Sequence, residues 1–347
     1  MKGVVLTGIR QVMIADIPVP AIQQPTDVLL KVVRVGICGS DVHYYAQGRI
    51  GNQVVQYPYR VGHECSGVVE QIGERVRGVK PGDLVAVDPL VSCGHCEQCR
   101  RRRFNTCLNQ RFLGCPGQME GCLCEYIVMP DACCYPVGPE LSAEEAALAE
   151  PLAVGLYAVR SAVPLRGKKI AILGAGAIGL SVLLTARLDE PAAVYVTDKL
   201  DYRLAAARRQ GACWAGNPDR IDIVKDLQTQ EPMLLDVVFQ CCGEQEALDQ
   251  AVELLKPGGH LMIVGIPEAD RVSLAIHSLR RKELTLVNVR RQNECEQATI
   301  DLMREGRLQP QFLLTHRFPL EEAARAFDLV DRYQDGVLRA MVEVASP

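Results

Sequence analysis

The feature that most constrains this chain is a glycine-rich turn, Gly174-Ala175-Gly176-Ala177-Ile178-Gly179, which follows the apolar run KKIAIL and opens an apolar stretch of helical character. In that context G-x-G-x-x-G fixes a strand–turn–helix unit. The first Gly permits the tight turn, the second admits a pyrophosphate to the backbone, and the third lets helix and strand pack closely. The helix start, with Ala177 and Ile178, offers unpaired N–H donors to the phosphates. Asp198 ends the next strand-like run, AVYVTD, 19 residues after Gly179. A carboxylate there accepts from the adenosine ribose diol and repels a 2′-phosphate, which favours NAD over NADP. The nearby cations Lys199 and Arg203 oppose that preference but sit less directly against the phosphate position.

The turn belongs to a longer alternation. Strand-like KKIAIL, AVYVTD, LLDVVFQCC and HLMIVGI are separated by helix-like segments at Ile178 to Leu188, Tyr202 to Gln210 and up to Leu255. Such alternation predicts parallel strands with crossover helices, a doubly wound α/β sheet. Residues 1 to about 135 differ, with short β-type runs at Val28 to Val35, Gly67 to Ile72 and Leu84 to Val87 between Gly and Pro turns. At Ser142, LSAEEAALAE carries a capping box with Glu145; its helix is expected to stop at Pro151, with a second from Leu156 to Ser161. The tail is read as a helix from Glu296, the strand HRFPL, a helix through Phe327 and a last strand from Leu338 to Val344. It is assigned back to the first domain.

With 347 residues, 48% hydrophobic and 23% charged, the chain has material for about two cored domains. Its net charge of −4 argues against a dedicated polyanion binder, and the expected partners exclude nucleic acid. No apolar run approaches the roughly 20 residues of a membrane span, so no membrane partner is expected. The opening MKGVVLTGIRQVMIADIPVP lacks a signal-peptide core, and with fifteen cysteines in a long chain this points to a reducing, cytoplasmic setting.

Cys93, Cys96, Cys99 and Cys107 stand as C-x2-C-x2-C-x7-C, four thiols on one compact loop, the donor set of a closed structural zinc site. The neighbouring run Arg100 to Arg103 is read as a solvated face that offsets the negative charge of a zinc–thiolate cluster, rather than as an RNA contact. A second candidate set is dispersed: Cys38 in VGICGSD, His63 and Glu64 in VGHECSG, and Glu150 in AEP. Dispersed ligands suit a catalytic metal with an open coordination position. Gly36, Gly39 and Gly62 are expected to leave room for that metal beside the backbone. Taken one by one, a Cys, a His and two Glu are more often packing or surface residues.

The stretches GICGSDVHYY, GHECSGVVEQIG, PGDLVAV, CEYIVMP, AEPLAVGLYAV and GAGAIGL, in that order with the four-cysteine loop, closely resemble the zinc-dependent medium-chain dehydrogenase/reductase family. GSDVHYYAQGRIGN and THRFPLEEAARAF are similar to its sorbitol (L-iditol) and xylitol dehydrogenase branch. The resemblance implies a GroES-like β-barrel catalytic domain at 1–155, a Rossmann cofactor domain at 156–290, and a return to the catalytic domain at 291–347. It implies two Zn²⁺ per chain and NAD. Cys38 and His63 match catalytic zinc ligands, and Glu64 and Glu150 both match glutamates that serve there directly or through water.

By the same resemblance Ser40 matches the relay hydroxyl, with His43 next toward solvent, and Tyr44, Glu150 and Arg290 match positions that contact substrate. Arg291 stands where the branch has an aromatic, Val289 where it has Phe, and Cys122 where a second Gly is common. The expected reaction is hydride transfer from a secondary hydroxyl of a polyol to NAD⁺, giving a ketose. An L-threonine or aldonate dehydrogenase remains open, as does a noncatalytic zinc-bearing binding protein. The resemblance also implies a homodimer or homotetramer joined at Rossmann sheet edges, with HLMIVGIP and Leu284 to Val289 as the apolar edge.

Overall fold

The computed structural model describes residues 1–267 and 269–346. The chain forms two compact units, Met1–Glu150 with Glu296–Pro347, and Pro151–Cys295.

The first unit is built on a seven-stranded sheet. Its order is Cys134–Pro136, Leu84–Val87, Glu64–Ile72, Asp27–Gly36, Arg339–Glu343 and Leu314–Pro319, and Tyr126–Pro130 also pairs with Asp27–Gly36. The central strand DVLLKVVRVG is rich in β-branched residues, and Val28, Leu30, Val32, Val33 and Val35 are wholly buried within it. Burying a Val or Leu side chain contributes about 1.5–3 kcal/mol, so this strand anchors the unit. Its register matters for the site: Gly36 lies opposite Glu64 on one side and Met341 on the other.

Ser142 and Glu145 form the expected capping box. The Glu145 N–H donates to Ser142 Oγ at 3.2 Å, and the Ser142 N–H to Glu145 Oε2 at 2.8 Å. The expected stop at Pro151 is corrected, because a single helix runs Ala143–Arg160 with Pro151 inside it. Ala146, Ala147, Leu148, Ala149, Leu152 and Ala153 around the proline are buried, and that apolar burial outweighs one lost backbone hydrogen bond.

The second unit is a six-stranded parallel sheet in the order Trp214–Gly216, Ala193–Thr197, Lys169–Leu173, Leu235–Gln240, Leu255–Ile263 and Thr285–Asn288. Strand order reverses between Lys169–Leu173 and Leu235–Gln240, the switch point at which such sheets bind ligands. Ile170, Ala171, Ile172 and Leu173 are fully buried, as expected of a strand covered on both faces. The sequence reading passes over Trp214–Gly216 and the helix Ile223–Gln230, both too short for a strong period. Asp222 nonetheless caps that helix, accepting from the Lys225 N–H at 3.0 Å. Among the described residues no helix is long and apolar enough to cross a membrane.

Candidate active site and metal centres

Cys38 caps the helix Gly39–Gln47, and His63 and Glu64 lie where the chain enters the strand Glu64–Ile72. One ligand atom from each of Cys38, His63 and Glu64 lies within 4.8 Å of the others. A fully buried carboxylate, Asp41, holds this arrangement. It accepts the Cys38 N–H at 3.3 Å and the Gly62 N–H at 3.1 Å, and its Oδ1 lies 3.4 Å from His63 Nδ1. A carboxylate on one ring nitrogen fixes the tautomer and leaves the other nitrogen to a metal.

Glu64 is held from a different direction. Its Oε1 accepts from Arg339 Nη2, both side chains are buried, and its Oε2 has no hydrogen-bond partner among the described residues. A Cβ at Gly36 would meet Glu64 Oε2 at 2.4 Å, so a side chain there would push the Glu64 carboxylate from its place. Gly36 makes room for a ligand side chain, Gly62 is needed for its φ of 99°, and a Cβ at Gly39 would meet nothing within 4 Å.

Burial raises the Cys38 thiol, and Glu64 adds to that while His63 opposes it. His63 is raised despite burial, because the charges of Asp41 and Cys38 outweigh the desolvation. Glu150 is buried but lies outside the set of three ligand atoms. Burial pushes its carboxyl up to about 7; His63 and Arg339 oppose the shift, and Glu64 and Asp88 add to it. Ser40 and His43, three residues apart on the helix Gly39–Gln47, share one face and are both partly buried. Tyr44, on the same helix, is buried and donates its hydroxyl to Gln53 Oε1 at 3.1 Å.

The four-cysteine loop closes on itself as its spacing implies. All four sulfur atoms lie within 4.8 Å of one another, Cys96 and Cys99 at 3.5 Å. The short helix Glu97–Arg100 and the turn Phe104–Thr106 bring them together. Backbone N–H groups point at sulfur, from Cys93 to Cys107 at 3.3 Å and from Leu108 to Cys96 at 3.5 Å. Hydrogen bonds of this kind, the amide of His95 first, bring the Cys93 thiol down to about 5. None of the fifteen cysteines is in a disulfide. In the arginine run, Arg100 donates to the His95 carbonyl and Arg101 pairs with Glu97 at 2.8 Å, so both are tied to the loop itself.

In the second unit Gly174 has φ 99° and a Cβ there would lie 2.7 Å from Cys242 Cβ, while one at Gly179 would lie 1.8 Å from the Gly174 carbonyl oxygen. A Cβ at Gly176, which caps the helix Ala177–Ala186, would come no closer than 3.6 Å to its nearest neighbour, Arg203 Nη1. The first and third glycines are thus required by packing and the second leaves open space. Asp198 is buried and already engaged. It accepts from the Ala175 N–H at 2.7 Å and the Leu200 N–H at 2.9 Å, and lies 3.6 Å from Arg203 Nη1. The carboxylate therefore locks the glycine turn. Arg290 is exposed just beyond the strand Thr285–Asn288.

Sequence reasoning missed Asp41, Arg339, Gln53 and Phe112, whose ring centroid lies 5.4 Å from that of His63. Asp41 carried a signal, an acid three residues after an N-cap. Arg339 carried a weaker one, a cation inside the apolar run VLRAMVEV.

Two family models match the chain: the alcohol dehydrogenase GroES-like domain over residues 24–139 and zinc-binding dehydrogenase over 177–305. Sorbitol dehydrogenase of Bacillus subtilis (strain 168) is 35% identical over 343 residues, 99% of this chain and 97% of the relative. L-idonate 5-dehydrogenase of Vitis vinifera is 31% identical over 322 residues, 91% and 87% of the two chains. Among solved structures, a protein described as a zinc-binding dehydrogenase of Sinorhizobium meliloti 1021, bound to NADP, superposes with TM-score 0.90 at 28% identity, covering 99% of each chain. A GroES-like sheet unit, a doubly wound unit and two clusters of metal-ligating side chains define a zinc-type dehydrogenase. The chain belongs to the zinc-dependent medium-chain dehydrogenase/reductase family, in its sorbitol and xylitol dehydrogenase-like branch.

Proposed function

We propose that this protein is an NAD-dependent zinc enzyme that oxidises a secondary hydroxyl of a polyol or sugar alcohol to the ketone of a ketose. The observation that carries the reading is the meeting of Cys38, His63 and Glu64 within 4.8 Å in a member of this family. A thiolate, an imidazole and a carboxylate with one unpartnered buried oxygen fit a zinc ion that keeps a position open. Cys38, His63 and Glu64 would hold it, with Glu150, a buried carboxyl that feels the charges of His63 and Glu64, serving directly or through water, and Cys93, Cys96, Cys99 and Cys107 would hold a second, structural zinc. When bound, the catalytic zinc supplies Lewis acidity that lowers the pKa of a hydroxyl, and NAD⁺ supplies the acceptor for the carbinol hydrogen.

The chain's own residues do the rest. Asp41 orients His63, and Arg339 orients Glu64. Ser40 takes the hydroxyl proton, and His43 passes it toward solvent. Tyr44, Glu150 and Arg290 hydrogen-bond the further hydroxyls, so that analogues lacking them are rejected. The amides at Gly176, Ala177, Ile178 and Gly179 receive the pyrophosphate, with Gly174, whose own N–H donates to the Thr197 carbonyl at 2.8 Å, turning the chain beneath it; Asp198 takes the ribose beside Arg203, and its charge favours NAD over NADP. The catalytic domain is 1–155 with 291–347, and the cofactor domain 156–290.

The small-molecule reading needs neither nucleic acid nor membrane, and free thiols suit the cytoplasm. A homodimer or homotetramer is supported by the outer strand Thr285–Asn288, which pairs only on its Leu255–Ile263 side among the described residues. A second reading, a sugar-acid dehydrogenase, draws on the adjacent Arg290 and Arg291 and on the L-idonate 5-dehydrogenase likeness. The test is a panel of polyols, sugar acids and threonine with NAD⁺, read by NADH absorbance. Polyol turnover is expected; turnover of threonine or sugar acids without polyols would overturn the choice.

A further inference from the structure

We propose that Ser66 is a positioning residue for the catalytic metal centre, a buried hydroxyl that fixes the helix carrying Glu150 against the strand carrying Glu64. The proposal rests on the zinc reading of Cys38, His63 and Glu64 and names what holds the second glutamate in place beside them.

Glu64 and Ser66 stand two residues apart on the strand Glu64–Ile72, so their side chains leave the same face. Pairing is regular at this point, with Gly36 opposite Glu64 and Arg34 opposite Ser66 on one side and Ala86 opposite Ser66 on the other. Ser66 is wholly buried, and its hydroxyl donates to the Ala143 carbonyl at 2.6 Å. Ala143 opens the helix Ala143–Arg160. Glu150 follows seven residues later, about two turns and roughly 10 Å along the axis, which returns it to the same side of the helix. Its carboxyl feels the charges of His63, Glu64 and Arg339, so it lies toward the start of the strand. One buried hydrogen bond thus spans the two elements that carry Glu64 and Glu150.

Other side chains also hold the first turn of this helix, but in water. Arg317 donates twice to the Glu144 carboxylate, at 2.6 and 2.8 Å, and Gln311 donates to Glu145 Oε1 at 2.6 Å, all of them exposed. Exposed ties contribute little, because solvent replaces a lost partner. A hydroxyl in a site closed to solvent has no such substitute. Without it the helix keeps its packing and its exposed ties but loses the contact that sets its height along the strand.

The test uses the zinc-loaded full chain as wild type, Ser66→Ala, Ser66→Thr and Arg317→Met, the last cutting an exposed tie to the same turn. Zinc release to a chromogenic chelator is followed in time, with Cys38→Ser marking the ion of the cysteine loop. Turnover of the best polyol of the panel gives kcat and the KM for NAD⁺, and thermal midpoints check folding. Ser66→Ala is expected to release the catalytic ion about tenfold faster and to lose about tenfold in kcat, the worth of one buried hydrogen bond, with loop-ion release and the KM for NAD⁺ within about twofold. Ser66→Thr, which keeps the hydroxyl, and Arg317→Met are expected to release zinc at the wild-type rate. Release from Ser66→Ala at the wild-type rate, or an equal acceleration in Ser66→Thr or Arg317→Met, overturns the proposal and leaves the zinc reading standing. Wild type that binds only the ion of the cysteine loop overturns both.

Discussion

Arg339 and Glu64, 275 residues apart in sequence, form a buried ion pair beside Cys38 and His63. The cation sits on the last strand, Arg339–Glu343, and the anion opens the strand Glu64–Ile72; both strands flank Asp27–Gly36. The C-terminal segment therefore completes the site as well as the sheet. Breaking a buried pair by removing one partner costs about 3–5 kcal/mol, because a charge is left uncompensated. Arg339→Met is expected to lower the urea unfolding midpoint accordingly. Arg339→Met/Glu64→Met should recover most of that stability while still failing to retain the catalytic zinc, which separates the structural role from the metal-binding one.

The four-cysteine loop has little apolar core of its own, so its metal should supply much of its local folding free energy. Cys99→Ser is expected to leave one zinc per chain by atomic absorption and to open residues 93–107 to proteolysis. Protease resistance of that loop equal to wild type would contradict the assignment.

Asp198 ties together Ala175 and Leu200 and is the residue proposed to take the ribose. Asp198→Ala should weaken NADH binding by about tenfold or more, the loss of one to two charge-assisted hydrogen bonds, and narrow the preference over NADPH. Fluorescence titration with both cofactors measures this. An unchanged ratio would remove Asp198 as the discriminating residue.

A pH dependence follows from Asp236, which accepts the Lys169 N–H at 2.9 Å and pairs with Lys256. Burial alone would raise this carboxyl, but the Lys256 contact, the Lys169 amide and Lys168 hold it below its ordinary value. A group depressed in the folded state stabilises the fold above its unfolded pKa, about 3.9 for Asp, and loses that contribution as pH falls through the folded value. The stability gap between wild type and Asp236→Asn should thus stay constant from pH 6 to 8 and narrow only below about 4, as read from urea unfolding at each pH.

What was legible in the sequence divides along lines of locality. The glycine turn, Asp198 and the four cysteines are short-range patterns whose spacing is itself the geometry, and the doubly wound sheet follows from the alternation around KKIAIL. Pro151 misled because a local rule about backbone hydrogen bonds was outweighed by burial of its neighbours, which sequence does not display. At Gly36 the space is taken by the Glu64 carboxylate on the neighbouring strand, 28 residues later, a contact that local spacing does not display. Arg339 was overlooked for the same cause: the partner that makes a buried cation tolerable is remote in the chain. Asp41 was legible in principle, since GSD after Cys38 places an acid at the third position of a helix.

Cys38, with His63 and Glu64, is proposed to hold the metal on which turnover depends, apart from the metal of the cysteine loop. Zinc content and sorbitol-dependent NADH formation measured side by side on wild type and Cys38→Ser test this most directly. Two zinc ions per chain and turnover in wild type, with one zinc and at least a thousandfold loss of turnover in a folded Cys38→Ser protein, are expected. A Cys38→Ser protein that keeps both ions and its activity would contradict it.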